Sequence, residues 1–456
     1  MLHNEGMITV VGGGFAGVEA AWAIANSGIP VRLFEMRPKT QTGAHKTEFL
    51  AELVCSNSFK SKLPTSPAGQ LKAEMTALGS LILPTAELHT VPGGEALCVD
   101  RDEFAQAVTA KISSHPLIEI VREEFTPEMA ADLLSANKPL IIATGPLTSK
   151  PLGEWLAKLT GRNHLYFYDA VSPTVDASTL DMSVVFAQSR YDKGGDDYLN
   201  CPFEKDSYLA FVDALVHAER ALPHGASADD ETLEKIKYFA GCTPIEAIAE
   251  GGPRSLAFGN FKPVGLTDPR TGRRPYAALQ LRPENSEKTL YSLVACQNRL
   301  KWGEQKRIFQ MVPGLENAEF VRFGVIHRNT YIDSPKVLTP WLEFQEYPGL
   351  YLAGQITGVE GYVESAAMGI YVGINAARIA KGLYPVQPPR TTAYGALVAH
   401  LQDATPREFA PMNINWGLFP DPETPIKDKQ VKRQWKLEQA QQGLASWQDA
   451  LAIASA

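Results

Sequence analysis

Three glycines near the start of the chain have the spacing of a dinucleotide-binding turn. Gly12, Gly14 and Gly17 form a GxGxxG pattern between an apolar run, ITVV, and a run of helix-forming residues. In this pattern the first glycine permits a tight turn, the second lets a pyrophosphate approach the backbone, and the third lets the helix pack against the strand. Glu35 lies 18 residues beyond Gly17, where a carboxylate can accept hydrogen bonds from ribose hydroxyls. The predicted cofactor contacts at this end are Gly12, Gly13, Gly14, Phe15, Ala16, Gly17 and Glu35.

A second glycine-rich segment favours FAD over a nicotinamide dinucleotide as the bound cofactor. The run LYLAGQITGVEGYVESAAMG reads as a strand, a turn and a helix rich in small residues. Such a junction brings backbone N–H groups and the positive end of a helix to a flavin ring or to a pyrophosphate. The same small residues also suit close helix packing, and both interpretations can hold together. The further predicted FAD contacts are Gly145, Gly354, Gln355 and Gly358.

These segments belong to one predicted sheet. Apolar runs at 8–11, 139–143 and 350–353 each lead into a glycine-containing turn, as expected of buried parallel strands. The chain of 456 residues is also too long for a single hydrophobic core. We therefore predict an α/β fold: a Rossmann-like FAD-binding domain of the glutathione-reductase type, with a parallel sheet, interrupted by an α+β insertion domain. The predicted segments are 1–90 and 318–390 for the FAD-binding domain, 91–317 for the insertion, with 138–146 returning to the sheet, and 391–456 for a C-terminal helical tail.

The composition excludes several classes of protein. A hydrophobic fraction of 45% and a charged fraction of 21% are those of a globular chain. Because no apolar run is long enough to span a bilayer and the first residues lack the basic region of a signal peptide, we expect a cytoplasmic protein without a membrane partner. The five cysteines show no CxxC or Cys/His spacing, so no metal site is predicted. The net charge of −8 argues against a wholly basic surface, although a local basic patch can still hold RNA.

Five longer runs resemble the folate- and FAD-dependent tRNA (uracil-5-)-methyltransferases, which are relatives of the flavin-dependent wobble-uridine modification enzymes. The runs are EMRPKTQTGAHKTEFLAELVCSNSF, GCTPIEAIAE, FKPVGLTDPRTGRRPYAALQLRPEN, LKWGEQKRIFQMVPGLENAEFVRFGVIHRNT and AGQITGVEGYVESAAMG. The resemblance implies methylation of the T-loop uridine (uridine-54) of tRNA to ribothymidine. It implies methylenetetrahydrofolate as carbon donor, FAD as cofactor and NADH or NADPH as reductant. The implied partners are the T-arm of tRNA and the folate, with no obligate protein partner.

Two of the cysteines match positions that this family uses in catalysis. They are Cys55, in LVCSNSF, and Cys242, in GCTPIE; by residue type alone, each would more often be a buried apolar side chain. A thiolate that adds to C6 of uracil makes C5 nucleophilic. We assign this attack to Cys242, since a helix beginning after it would favour its thiolate, and place Cys55 near the flavin as proton acceptor from C5 or holder of a transient adduct. The two roles could be exchanged, and the methylene could pass through flavin N5. The cysteines expected to be structural are Cys98, Cys201 and Cys296.

Aromatic and charged residues supply candidates for binding folate and RNA. A pterin needs a ring to stack on and a carboxylate at its edge, which Trp302 and Glu360 could provide, although Trp302 suits a packing role equally. Lys301 could meet the glutamate tail, and Arg101 is a further folate candidate. For RNA phosphates, basic residues cluster in two loop-like stretches. The RNA candidates are Lys262, Arg270, Arg273, Arg274, Lys306 and Arg307, with Arg322, His327 and Arg328 as an extension; the basic run at 427–436 is expected to be solvated helix charge.

Three departures from the family pattern leave both family thiols in place. The chain continues with FKSKLPTSP after CSNS, carries Thr243 after the second family cysteine, and has FGNFKP where FGPMKP is commoner. These changes affect loop contacts and so bear on RNA specificity more than on flavin chemistry. Two alternative functions therefore remain open at this point: the same chemistry on a uridine of ribosomal RNA, or a flavin NAD(P)H oxidoreductase without an RNA substrate.

Overall fold

A computed structural model describes residues 6–161, 165–192, 196–222, 238, 243–403, 405 and 409–453. None of the helices in these ranges is both long enough and apolar enough to cross a membrane. The strands are β1 (Ile8–Val11), β2 (Val31–Phe34), β3 (Ser58–Ser61), β4 (Thr90–Val91), β5 (Ala96–Val99), β6 (Ile118–Val121), β7 (Leu140–Ile142), β8 (Leu165–Ala170), β9 (Thr174–Asp176), β10 (Phe186–Ala187), β11 (Leu199–Phe203), β12 (Ala277–Pro283), β13 (Leu290–Leu293), β14 (Phe320–Arg322), β15 (Ile326–Tyr331) and β16 (Leu350–Leu352).

The helices alternate with these strands in the first third of the chain and cluster near its end. They are α1 (Phe15–Asn26), α2 (Pro67–Ala77), α3 (Ile82–Leu88), α4 (Arg101–Ser114), α5 (Pro127–Ser135), α6 (Lys150–Thr160), α7 (Lys205–Val216), α8 (Ile245–Ala249), α9 (Ser255–Phe258), α10 (Trp302–Phe309), α11 (Ser334–Val337), α12 (Tyr362–Ala380), α13 (Ala393–Gln402) and α14 (Lys429–Ile453).

A five-stranded parallel sheet forms the centre of the first hydrophobic core. Its strand order is β16-β7-β1-β2-β6, and β1 pairs with β2 on one side and β7 on the other. Strands β1, β7 and β16 are buried along their whole length, because helices cover both faces of a parallel sheet. The carboxyl ends of the three apolar runs identified in the sequence therefore meet at one edge of this sheet, where open α/β sheets bind their ligands.

Helices α1 and α12 pack closely because small residues line their contact. A Cβ atom added at Gly369 or Gly373 would lie closer than 3.0 Å to the backbone of α1. Glycine at these positions lets the two helix axes approach each other. The close packing brings the start of α12, at Tyr362, beside the glycine turn that begins α1.

A second core is built on a six-stranded sheet with the order β10-β11-β12-β13-β9-β14, whose paired strands are antiparallel. Its buried apolar residues run from Val175 to Ala318 and include helices α7, α8 and α10. Strands β8 and β15 pair with each other where the chain passes between the two cores.

The two cores divide the chain differently from the predicted boundaries. Residues from Leu97 to Leu156 belong to the first core, so the insertion begins near residue 171 and not at 91. This boundary was not evident from the sequence, because β6 is an edge strand. Its sequence, IEIV, alternates at first between apolar and charged residues, and only Ile118 is buried. Beyond residue 390, α13 and Trp447 of α14 also pack into the first core.

Candidate functional site

The glycine turn between β1 and α1 has the geometry that a pyrophosphate requires. Gly12 has a φ of +105°, and a Cβ there would lie 2.5 Å from the carbonyl oxygen of Ala143. A Cβ at Gly17 would lie closer than 3.0 Å to the carbonyl oxygen of Gly12, so only glycine lets α1 begin here. At Gly14, by contrast, an added Cβ would meet nothing within 4 Å. The turn is therefore tight at both ends and open at its centre, where the helix N-terminus can meet a phosphate.

A cavity extends from this turn along the carboxyl edge of the parallel sheet. This glycine-turn cavity has an empty volume of about 1010 Å³ including its mouth, which is sufficient for a large cofactor. Gly145, in the turn after β7, has a φ of +67° and open space at its Cα. The cavity fits a dinucleotide such as FAD. Its walls include Gly12, Gly13, Gly14, Phe15, Ala16, Glu35, Arg37, Thr144, Gly145, Gln355 and Tyr362.

The carboxylate of Glu35 is buried in this wall and organises the turn. It accepts hydrogen bonds from the N–H of Gly13 (3.1 Å) and from the backbone and guanidinium of Arg37 (2.9 to 3.1 Å). Burial alone would raise the pKa of Glu35, but the hydrogen bonds and charge of Arg37 outweigh it and lower that pKa. A carboxylate offers about four acceptor positions, and these hydrogen bonds occupy them. A ribose hydroxyl would therefore have to share an oxygen with Arg37, a partner that the spacing argument did not anticipate.

Two of the predicted FAD contacts have a packing role. Gly354 has a φ of +81°, and a Cβ there would lie 2.6 Å from that of Ala16. Gly358 has a φ of +95° and lies against the ring of Phe409. Neither residue lines the glycine-turn cavity, whereas Gln355 between them does. The packing interpretation of this segment thus applies to its glycines.

A second cavity opens from the first and contains Cys55. This thiol cavity has an empty volume of about 1460 Å³ and is lined by residues of both cores. The two cavities share wall residues, so a molecule bound to the glycine turn can reach the thiol. The shared residues are Val54, Pro146, Leu147, Gln355 and Tyr362.

Cys55 is held against the phenol of Tyr362. The Cys55 N–H donates to the Tyr362 Oη at 2.8 Å, and the Sγ atom lies 2.9 Å from the same oxygen. Burial and the negative charge of a Cys55 thiolate raise the pKa of Tyr362 well above its usual value. The phenol therefore keeps its proton and can donate it to the sulfur, a contact that stabilises a thiolate.

Comparison with known proteins assigns the chain to a family. The family described as glucose inhibited division protein A (GIDA) matches residues 7–384. Methylenetetrahydrofolate--tRNA-(uracil-5-)-methyltransferase TrmFO of Desulforudis audaxviator is 51% identical over 97% of this chain and 98% of its own length. The protein of the same name from Enterococcus faecalis is 50% identical over 93% of this chain and 94% of its own length. The chain belongs to the TrmFO family. A crystal structure of Aquifex aeolicus GidA, 16% identical, superposes with a TM-score of 0.66 over 98% of this chain and 75% of that one, which confirms the predicted fold class.

Cys242, the second of the two cysteines that match positions of the TrmFO family, lies outside the described residues. The structure resumes at Thr243, and the Ile245 N–H at the start of α8 donates to the carbonyl oxygen of Gln297 at 2.7 Å. Gln297 lines the thiol cavity. The remaining cysteines, Cys98, Cys201 and Cys296, are buried, as expected for structural residues.

The structure separates the four folate candidates. Glu360 lines the thiol cavity and accepts a hydrogen bond from the Gln355 amide at 2.6 Å. Arg101 lies behind the wall, where it donates to the carbonyl oxygen of Leu53. Trp302 and Lys301 line neither cavity: the Trp302 side chain is 63% exposed and stacks on Phe323, and Lys301 pairs with an acidic residue on the surface. Neither cavity therefore supports these two candidates, and a WGEQK run does not reveal which way a surface helix faces.

Most of the RNA candidates are exposed on the surface of the protein, in the loop at 262–274 and on α10. Lys262, Arg273, Arg274 and Lys306 are exposed, whereas Arg270 and Arg307 are exposed but paired with Asp268 and Glu304. Arg322 does not belong to this surface, because it is turned inward beside Glu284. The side chains of residues 327 and 328 lie outside the described part of the chain. In the C-terminal run, Lys436 is buried and bonds to the carbonyl oxygens of Trp416 and Phe419.

Three residues of the site were missed by the sequence argument. Tyr362 and Arg37 each follow a motif that was recognised, directly after GVEG and two residues after Glu35. Arg282 lines the thiol cavity from β12. The available signal for it was weak: Arg282 follows Gln280 on the half-buried side of the strand AALQLRP.

Proposed function

We propose that this protein methylates C5 of a tRNA uridine, using methylenetetrahydrofolate as carbon donor, FAD as redox cofactor and NAD(P)H as reductant. The target is the T-loop uridine, and the product is ribothymidine. Relatives about 50% identical over nearly the whole chain carry names for this activity. The observation that carries the proposal is the Cys55–Tyr362 pair at the junction of the two cavities.

The reaction needs two thiols with different tasks. Cys242 adds to C6 of the uracil, and the electron pair released at C5 forms the bond to the donor methylene as one of the two C–N bonds of that methylene breaks. Cys55 then takes the proton from C5, and the electron pair left there expels the remaining folate nitrogen, so that an exocyclic methylene results while the Cys242 sulfur stays on C6. Bound FAD, once reduced by NAD(P)H, would supply the hydride that converts this methylene to the methyl group, and the Cys242 sulfur then leaves C6. The same parts would serve if the two cysteines exchanged tasks.

Tyr362 positions the Cys55 thiol and sets its charge. Because the phenol stays protonated, it donates to the sulfur when that sulfur is a thiolate ready to accept the C5 proton. When the sulfur has taken that proton, the S–H can in turn donate to the phenol oxygen. The pair can therefore hold either protonation state without moving, which is what a proton acceptor needs.

The substrates would enter from the sides that the remaining candidates occupy. Glu360, held by Gln355, is placed to accept from the ring edge of a pterin lying in the thiol cavity. Lys262, Arg273, Arg274 and Lys306 would contact RNA phosphates, with Arg270 and Arg307 bound less firmly because they already have acidic partners.

The proposal is tested with purified protein, a T-arm minihelix, methylenetetrahydrofolate labelled in its methylene carbon, and NADPH. We expect the label in ribothymidine at the T-loop position and none when that uridine is replaced by cytidine. Labelling of a ribosomal RNA fragment but not of the minihelix would move the activity to that substrate. Oxidation of NADPH with unlabelled RNA, or a colourless protein that takes up no FAD, would contradict the proposal.

A further inference from the structure

Three arginines form a cluster in and behind the wall of the thiol cavity. Arg101, Arg282 and Arg322 surround one carboxylate, that of Glu284, which is 4% exposed. Arg101 forms an ion pair with Glu284, and Arg322 lies 3.8 Å from the same carboxylate oxygen. Three guanidinium groups and one carboxylate leave two positive charges in this cluster.

The cluster also contains hydrogen-bond donors that have nothing to bond to. The Nε atoms of Arg282 and Arg322 are buried, and neither has a hydrogen-bond partner in the part of the chain that the structure describes. Arg322 does reach the Thr174 hydroxyl through Nη2, at 3.2 Å. For Arg282, no side-chain hydrogen bond or ion pair occurs among the described residues. A buried donor without a partner is costly. The Oε1 atom of Glu284 is also buried without a partner among the described residues and bonds to neither Nε, so an acceptor from a bound molecule would complete the arrangement.

Arg282 faces the space in which the reaction occurs. It is the member of the cluster that lines the thiol cavity, together with Cys55. The cluster also contacts the Cys55 backbone, because Arg101 donates to Glu284 through Nε and its Nη2 lies 3.4 Å from the Cys55 carbonyl oxygen. A group bound at Arg282 would therefore lie in the same cavity as the thiol.

An oxyanion fits this position best. The planar fork of an arginine matches two oxygens of a phosphate or carboxylate, and the surplus positive charge attracts an anion. Both substrates carry one: the nucleotide has its phosphodiesters, and folate has its glutamate carboxylates. The glutamate lies beyond the aminobenzoyl group, far from the reacting carbon, whereas the phosphate is attached to the ribose of the target uridine. Because Arg282 lines the same cavity as Cys55, the thiol that the target base has to reach, the phosphate is favoured.

We propose that Arg282 binds a phosphate next to the target uridine and so holds the extruded nucleotide in the thiol cavity. This inference rests on the proposed function and adds to it the group that anchors the substrate. Extruding a base from its stack is costly, and a charge-assisted contact inside the cavity would offset part of that cost. The contact would act through binding of RNA and not through the folate or the flavin.

The test combines a change in the enzyme with a change in the RNA. The holoenzyme and its Arg282→Gln variant are assayed on the T-arm minihelix and on minihelices that carry one neutral methylphosphonate on either side of the target uridine. For the wild-type enzyme we expect one of the two neutral linkages to raise KM by about 10- to 100-fold, as for loss of a charge-assisted hydrogen bond. For Arg282→Gln we expect a similar KM on the unmodified RNA and almost no further effect of that linkage.

Controls separate this contact from general effects. Arg282→Lys keeps the charge but loses the fork, and its KM for the minihelix should lie between those of the wild type and Arg282→Gln. For Arg274→Gln, on the exposed surface, the neutral linkage should still raise KM as it does for the wild type. FAD content and the KM for methylenetetrahydrofolate should stay within about twofold in all three variants, a range well below one hydrogen bond.

Each of the remaining outcomes contradicts the inference. If both neutral linkages leave the wild-type KM unchanged, Arg282 does not contact a phosphate next to the target uridine. The same conclusion follows if the increases in KM caused by the neutral linkage and by Arg282→Gln multiply when the two are combined. An increase confined to the KM for the folate donor would identify a carboxylate as the bound anion. Absence of methyl transfer by the wild type on the unmodified minihelix would instead overturn the proposed function, and this inference with it.

Discussion

The two cavities of this protein are built in different ways. The glycine-turn cavity takes its decisive features from one short stretch, β1 to α1, and from backbone geometry: positive φ at Gly12, close packing at Gly17 and open space at Gly14. The thiol cavity takes side chains from segments spread along most of the chain, among them Cys55, Arg282, Tyr362 and Asn413. A dinucleotide is thus bound mainly by local backbone, whereas the reaction depends on side chains that only the complete fold brings together.

This difference also appears in the electrostatics. At the glycine turn the charged residues are paired: Glu35 and Glu52 both contact Arg37, which is 2% exposed. At the thiol cavity, three arginines share one carboxylate, and buried N–H groups have no partner within the described residues. Buried charges are normally compensated within the protein. The charged groups of the first region are therefore paired within the protein, whereas those of the second are paired only in part.

The largest expected effect comes from comparing two glycines of the same turn. Gly17→Ala should lower the free energy of unfolding by about 3 kcal/mol or more, because its Cβ would overlap the carbonyl of Gly12 and the backbone has to move. Gly14→Ala should leave the stability of the flavin-free protein nearly unchanged, since its Cβ faces open space, but should weaken FAD binding. Urea unfolding and fluorescence titration with FAD measure the two quantities.

Either of two results would break the comparison between the cavities. If Gly14→Ala destabilised the flavin-free protein as strongly as Gly17→Ala, the centre of the turn would not be open. If Gly14→Ala bound FAD with unchanged affinity, the pyrophosphate would not lie against that backbone.

The same contrast explains what could be predicted from the sequence. Gly12, Gly17 and the parallel strands were predictable because their constraints act between residues that are close in sequence or strongly apolar. Tyr362 was not, because its partner Cys55 is 307 positions away in the sequence and nothing local reveals the contact. Arg282 was not, because its strand does not reveal which cavity the side chain lines. Trp302 shows the converse limit: an aromatic residue suited to stacking on a ligand lies on the surface, against the ring of Phe323. Residue type predicts what a side chain can do, whereas its location depends on the fold.

An intermediate effect is expected from removing one hydroxyl in the thiol cavity. Tyr362→Phe removes the donor to the Cys55 sulfur and should lower kcat by about 10- to 100-fold, as for a hydrogen bond to a charged group. Because the thiolate loses its donor, the rise of rate with pH should also move to higher pH. The pH profile of methyl transfer measures both changes.

Tyr371→Phe is the matched control for this prediction. Tyr371 lies on the same helix, is fully buried and donates to the carbonyl oxygen of Pro340 at 2.9 Å, away from both cavities. This variant should lose about 1 kcal/mol of stability and keep its pH profile. Equal losses of kcat in the two variants would indicate that the Tyr362 hydroxyl acts only on stability, and an unchanged profile in Tyr362→Phe would remove its role at the sulfur.

The smallest effect is expected at the exposed basic surface, where contacts with RNA are solvated and individually weak. Arg273→Gln/Arg274→Gln should weaken binding of the minihelix by a few-fold at low salt and reduce the slope of log affinity against log salt by about 1 to 2, because each phosphate contact releases roughly one counterion. Lys429→Gln/Arg433→Gln on α14 makes the same change in net charge and should leave the slope unaltered. Salt titrations of binding therefore distinguish a specific surface from general attraction. Equal slopes for the two double variants would mean that the loop at 262–274 does not contact RNA. Arg282→Gln, which acts inside the cavity, should by contrast weaken binding even at high salt.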